Sequence, residues 1–172
     1  MGASAQYGGL YNLDTEKMGS HYALAAHYEL NAGNFDLKAQ VSNYKYNAKN
    51  LAGESNNIIA MTAYGAPYLI AAEAITYTFG AAYLIPVKWG AVSSLQVYND
   101  FSYMDKAISG FDHSMMNVTG VLVTAGNLYS HIDFAAGKNQ AWLGPVWTNA
   151  FAAGTPNTNW EMRFNINIGY YF

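Results

Sequence analysis

His131 and Asp133 stand two residues apart, so on an extended backbone both side chains leave the same face. A histidine and a carboxylate at that spacing could hold a metal ion. With Ser130 beside them they also supply the residue types of a hydrolytic triad. Neither chemistry finds the rest of its apparatus nearby. Zinc needs about three protein ligands in fixed geometry, and no third ligand follows at a matching spacing. Ser130 leaves the chain on the face opposite His131, and no glycine-rich nucleophile turn surrounds it. A triad assembled across space through Ser42 or Ser94 stays open. The chain has no cysteine, which removes disulfides and thiolate metal sites. The expectation is no catalysis, no cofactor and no metal, with His131 and Asp133 serving as polar wall residues.

They belong to a larger set. His27, Glu29, Asp36, Lys38 and Gln40 fall at the same phase of alternating segments. So do Gln96, Asp100, Glu161 and Arg163. Such groups stay hydrated along a water-filled passage and set up a transverse field that orients solutes. In a narrow barrel they would pair and fill the interior instead. Lys38 and Arg163 oppose Glu29, Asp36, Asp100, Asp133 and Glu161, a balance that favours cations weakly near neutral pH. Histidine changes charge between pH ~5 and ~8, so His21, His27 and His131 should move the preference towards anions in acid.

The elements that would carry this wall are β-strands. From Trp160 to Phe172, Trp160, Met162, Phe164, Ile166, Ile168, Tyr170 and Phe172 share one face, while both charges and both asparagines take the other. That period of two belongs to strands and to no helix. At ~3.3 Å per residue and a tilt of ~40°, the segment covers about 30 Å, an apolar band with two girdles. The same rule gives about eight strands: Gln6–Tyr11 (short and Gly-rich), His21–Leu30, Phe35–Asn47, Ile70–Ile85, Trp89–Tyr103, Met116–Thr124, Leu128–Ala136 and the last. Short turns are expected at Asn31–Asn34, Pro86–Lys88 and Ala125–Asn127. Longer connections are expected at 12–19, 48–68, 104–114 and 137–159. Alternating short and long connections match periplasmic turns opposite extracellular loops. The apolar 58–68 stretch either narrows the mouth or packs on a neighbouring subunit.

Composition agrees. The 172 residues are 52% hydrophobic, 16% aromatic and only 11% charged, against about a quarter charged in soluble domains. No run reaches the ~18 apolar residues of a transmembrane helix. A net charge of −3 with no basic stripe argues against nucleic acid. The fold class expected is all-β, an antiparallel up-and-down transmembrane barrel forming a single domain over 1–172. Because no signal peptide opens the chain and the first strand is short, the barrel is expected to be the C-terminal part of a longer one.

Several stretches carry a family likeness: Asn12-Leu13-Asp14-Thr15, Tyr64-Gly65-Ala66-Pro67-Tyr68, Tyr98-Asn99-Asp100-Phe101-Ser102, Gly137-Lys138-Asn139, and Arg163 to Phe172. Together they resemble the phosphate-selective porin superfamily of Gram-negative bacteria and its dicarboxylate-channel relatives. The resemblance implies half of a sixteen-stranded, homotrimeric outer-membrane porin. The chain departs from the phosphate-binding members in having no dense run of Lys or Arg. Phe164, Ile166, Ile168, Tyr170 and the terminal Phe172 resemble the signal read by the barrel-assembly machinery. The function expected is passive diffusion of small hydrophilic solutes or ions across the bacterial outer membrane, with membrane lipid and lipopolysaccharide as surroundings. The alternative is a compact eight-stranded structural or adhesion barrel acting through its outer loops.

Overall fold

A computed structural model describes residues 1–63 and 65–172; Tyr64, part of the Tyr64–Tyr68 stretch above, lies outside them. The fold is all-β, with no helix among the described residues. Its ten strands are β1 (Gly2–Asn12), β2 (Lys17–Ala32), β3 (Phe35–Asn47), β4 (Ile58–Ala63), β5 (Ala66–Ala71), β6 (Glu73–Trp89), β7 (Val92–Lys106), β8 (Ser114–Ala125), β9 (Leu128–Lys138) and β10 (Glu161–Tyr170). Eight of them form one antiparallel sheet in the order β1-β2-β3-β6-β7-β8-β9-β10, and β4 pairs with β5 alone. The sheet is a meander joined by hairpins, with β1 and β10 at its edges.

The alternation read from sequence places the side chains. Ladder partners point to the same face, so the phase of one strand fixes that of the next. Glu29↔Lys38, Lys38↔Gly80, Gly80↔Asp100, Asp100↔Val118, Val118↔Ala135 and Ala135↔Arg163 make one row of the polar face. The opposite face carries Leu24, Val41, Tyr77, Phe79, Phe134, Phe164, Ile166 and Ile168, all well exposed. Turns at Gly33, Gly90 and Gly126 each use a positive φ of about 60°, which glycine adopts at no steric cost.

Four expectations need correction. β1 spans Gly2–Asn12, as long as its neighbours require, because backbone pairing to β2 continues through the glycines that carry no periodicity signal. The shortness of the first strand therefore gives no argument for a longer barrel. Pro86–Lys88 is no turn: β6 runs on to Trp89, with an irregularity between Pro86 and Trp89 that absorbs the missing proline N–H, and the turn falls at Gly90. Ile70 does not open β6; it belongs to β5, and β6 begins at Glu73. Finally, the 48–68 connection contains most of a hairpin of its own, β4–β5.

Among the described residues no thick hydrophobic core separates two layers. The buried apolar residues are small: Ala48, Ala71, Ala72, Ala74, Ala135, Ala141, Ala150 and Ala152. They mark where the two longest connections lie against the sheet. Only side chains of that size let backbone approach backbone so closely.

Candidate functional site: the polar face and its inward loops

All eleven candidate wall residues lie on one face of the sheet. Lys38 sits at the centre, with its ammonium 2.9 Å from Asp36 and 3.7 Å from Glu29. Across the Gly80 position lies Asp100, for which the described residues provide no ion-pair partner. Tyr98 donates its hydroxyl to Asp133 Oδ2 at 2.9 Å. His131 Nδ1 is 3.3 Å from the same hydroxyl, and since the phenolic proton is committed to Asp133, His131 is the donor there. A concavity of about 430 Å³ lies over this patch, lined by Asp36, Lys38, Gln96, Tyr98, Asp100 and His131. Ser130 occupies the other face of β9, away from His131. Among the described residues no three His, Asp or Glu side chains converge on a metal position.

Several side chains of the polar face lie down on the sheet instead of standing away from it. His27 faces Gly2 and His21 faces Gly8 across the β1–β2 ladder. Tyr98 faces Gly120, Tyr129 faces Gly169 and Asp100 faces Gly80. In each case the longer side chain occupies the volume that a Cβ on the glycine would fill; the gap would be 2.7 Å to His27 Cε1 and 2.7 Å to the Tyr98 hydroxyl. A methyl group at any of these glycines would collide with its neighbour's side chain, so the glycines set how flat the polar face is.

The two longest connections both fold over this polar face at one end of the strands. The β4–β5 hairpin and the 139–160 segment lock together. Leu69 N–H donates to the Thr148 carbonyl at 2.8 Å and Ala71 N–H to that of Phe151 at 2.8 Å. Trp147 Nε1–H reaches the Pro67 carbonyl, and Tyr68 packs edge-on against Trp142 and Phe151. The pair is then pinned to the sheet. Buried Lys106 donates from Nζ to the Ala150 carbonyl at 2.7 Å, and buried Ser114 donates to the Asn139 carbonyl at 2.7 Å. Tyr44 donates to the Ala71 carbonyl and Gln140 to that of Met115. Arg163 donates to the Trp142 carbonyl, and Glu161 lies beside Gly144. Glu161 and Arg163 are thus beneath the 139–160 segment, while the Lys38 patch is open.

Tyr98, Lys106, Ser114 and Tyr44 were missed as site residues. Tyr98 and Tyr44 have the polar phase of strands legible in the sequence, whereas Lys106 and Ser114 fall in the 104–114 stretch expected as a connection, where no phase was visible. What strand phase does not carry is which inward residue meets a returning loop.

Phe164, Ile166, Ile168 and Tyr170, expected from sequence to form an assembly signal, are on the apolar face of β10, and Phe172 follows beyond the strand. No protein-family model, curated protein or solved structure matches this chain.

Proposed function

We propose that this sheet is part of a bacterial outer-membrane β-barrel whose polar face walls a water-filled channel for small hydrophilic solutes or ions. The carrying observation is the segregation of the two faces across eight strands. The outward side exposes Phe79, Phe134, Phe164, Ile166 and Ile168, each at least half accessible. An apolar surface of that extent is untenable in water, whereas hydrocarbon covers it at no cost. The inward side meanwhile keeps Lys38, Asp100, Asp133 and their neighbours solvated. The strands of the eight-stranded sheet run from 10 to 17 residues, which meets the ~9–11 needed to cross a bilayer at a tilt. That no helix is long and apolar enough to cross says nothing against strands doing so.

In this reading the interlocked hairpin and 139–160 segment narrow one mouth, and the open Lys38–Asp100 patch lies below them. The channel is weakly cation-selective, because Lys38 is balanced locally by Asp36 and Glu29 while Asp100 and Asp133 remain. The chain is no enzyme and takes no cofactor; Phe172 and its outward neighbours address it to the barrel-assembly machinery. The resemblance to the phosphate-selective porin superfamily supports sixteen strands and a trimer, with this chain supplying half of each ring. The edges of β1 and β10 then pair with further strands, since unpaired backbone is untenable in hydrocarbon. The compact eight-stranded barrel is the second reading, favoured by one observation: β1 and β10 are matched at 11 and 10 residues. Reconstitution in planar bilayers tests the proposal. Stepwise conductance is expected, and silence from correctly folded protein would favour the compact barrel.

A further inference from the structure

Val118 and Leu122 put two aliphatic side chains on the polar face of β8. Their β7 partners are Asp100 and Gln96, and Leu122 is also opposite His131 on β9. All five residues line the concavity of about 430 Å³ that lies over the Lys38 patch. The concavity therefore has an anionic end at Asp100 and a neutral polar end at Gln96 and His131, with aliphatic surface alongside. Asp100 and Gln96 are four residues apart on β7, roughly 13 Å along a strand.

What these polar groups have left to offer is of one kind. Lys38 is held by Asp36 and Glu29, and the Tyr98 proton goes to Asp133. His131 donates from Nδ1 to the Tyr98 hydroxyl, and a neutral imidazole protonated at Nδ1 accepts at Nε2. The Asp100 carboxylate has no ion-pair partner among the described residues, and Gln96 has a carbonyl oxygen free to turn either way. Acceptors thus remain at both ends, while Lys38, whose ammonium could receive an anion, is already compensated. We propose that this concavity binds an elongated organic cation with N–H donors at both ends, methylenes between them and no carboxylate: an aliphatic diamine or guanidinoalkylamine. Its cationic end pairs with Asp100, its methylenes lie on Val118 and Leu122, and its far donors go to His131 Nε2 and the Gln96 carbonyl. A bare metal ion fits poorly, because among the described residues no three His, Asp or Glu side chains converge. A carboxylate on the ligand would meet Asp36 and Asp100 with no uncompensated cation to receive it. Such a site rests on the reading of the polar face as a channel wall, and it names the class of solute held there.

Agmatine, a guanidinium and an ammonium joined by a short methylene chain, is the probe. Butylamine keeps one of the two ends, and arginine adds a carboxylate to the agmatine skeleton. Titration calorimetry at pH 8, on protein folded in an uncharged detergent, should show saturable agmatine binding, with butylamine and arginine each several-fold weaker. Asp100→Asn should weaken agmatine about tenfold, as loss of a charge-assisted hydrogen bond does, and Leu122→Ser should weaken it less. In planar bilayers agmatine should interrupt the potassium chloride current. No saturable agmatine binding would overturn the proposal, and ordinary conductance in that same protein would leave the channel reading standing. Arginine binding as tightly as agmatine would overturn the ligand class. Agmatine affinity unmoved in both variants would overturn the location. Binding that responds to both variants, in protein that carries no current, would uphold the site and overturn the channel reading alone.

Discussion

Lys38 is held between Asp36 at 2.9 Å and Glu29 at 3.7 Å, so its charge is compensated within its own neighbourhood. Asp100, across Gly80, has no such partner among the described ion pairs. These two residues should therefore act oppositely on ion selectivity. Asp100→Asn is expected to move the reversal potential in a salt gradient towards anions. Lys38→Met, which releases two carboxylates, should move it further towards cations than Asp100→Asn moves it back. A strongly anion-selective channel at pH 8 in the unaltered protein would show that these carboxylates do not set the field. That all eleven candidate residues share one face was legible, because a period of two fixes every side chain once one is assigned. The Tyr98–Asp133–His131 contacts were not, since they depend on register between strands distant in sequence. Lys106 was equally opaque: it falls in the 104–114 stretch expected as a connection, whereas β7 runs on to include it and the returning 139–160 segment buries it.

That segment and the β4–β5 hairpin are joined backbone to backbone, and Lys106 and Ser114 are among the side chains that fasten the pair to the sheet. Lys106→Met would remove a charge-assisted hydrogen bond to the Ala150 carbonyl, a loss of about 2 kcal/mol. Its expected effect is local: faster proteolysis within 139–160, with far-UV dichroism of the sheet unchanged and conductance raised and noisier. Ser114→Ala should do the same more weakly. The apolar character of the 58–68 stretch was visible in sequence, but not its destination. It was balanced between the barrel mouth and a neighbouring subunit, and the structure places it over the polar face. The misplaced turn at Pro86–Lys88 has a plain cause. Proline is a common turn former, yet an irregular strand end tolerates it equally. At the other end of the chain, β10 presents Phe164, Ile166, Ile168 and Tyr170 outward. Deleting Phe172 is expected to lower the yield of outer-membrane-inserted protein several-fold, measured by fractionation, while in vitro folding into detergent is little affected.

At the scale of the whole sheet, eight strands with two edges and two chemically opposite faces were predictable from alternation alone. Closure was not, because it depends on what pairs with the backbone of β1 and β10, and no side-chain pattern encodes that. The glycines of the inner face carry a different kind of information. Gly2, Gly8, Gly80, Gly120 and Gly169 each receive a side chain from the strand beside them. They act as recesses in the polar face, and in the proposed channel the calibre would depend on residues that carry no side chain. Trimming the visible bulk should then do little. Tyr98→Ala would leave a dent already outside the line of flow, with conductance nearly unchanged. Gly80→Ala would do the reverse: the added carbon meets the Asp100 carboxylate at 2.6 Å and nothing else closer than Lys38 Cβ at 3.7 Å, so that carboxylate is pushed away from the sheet. It should cost about 1–3 kcal/mol of stability and lower single-channel conductance. A wall built this way can be narrowed in many single steps and widened in almost none.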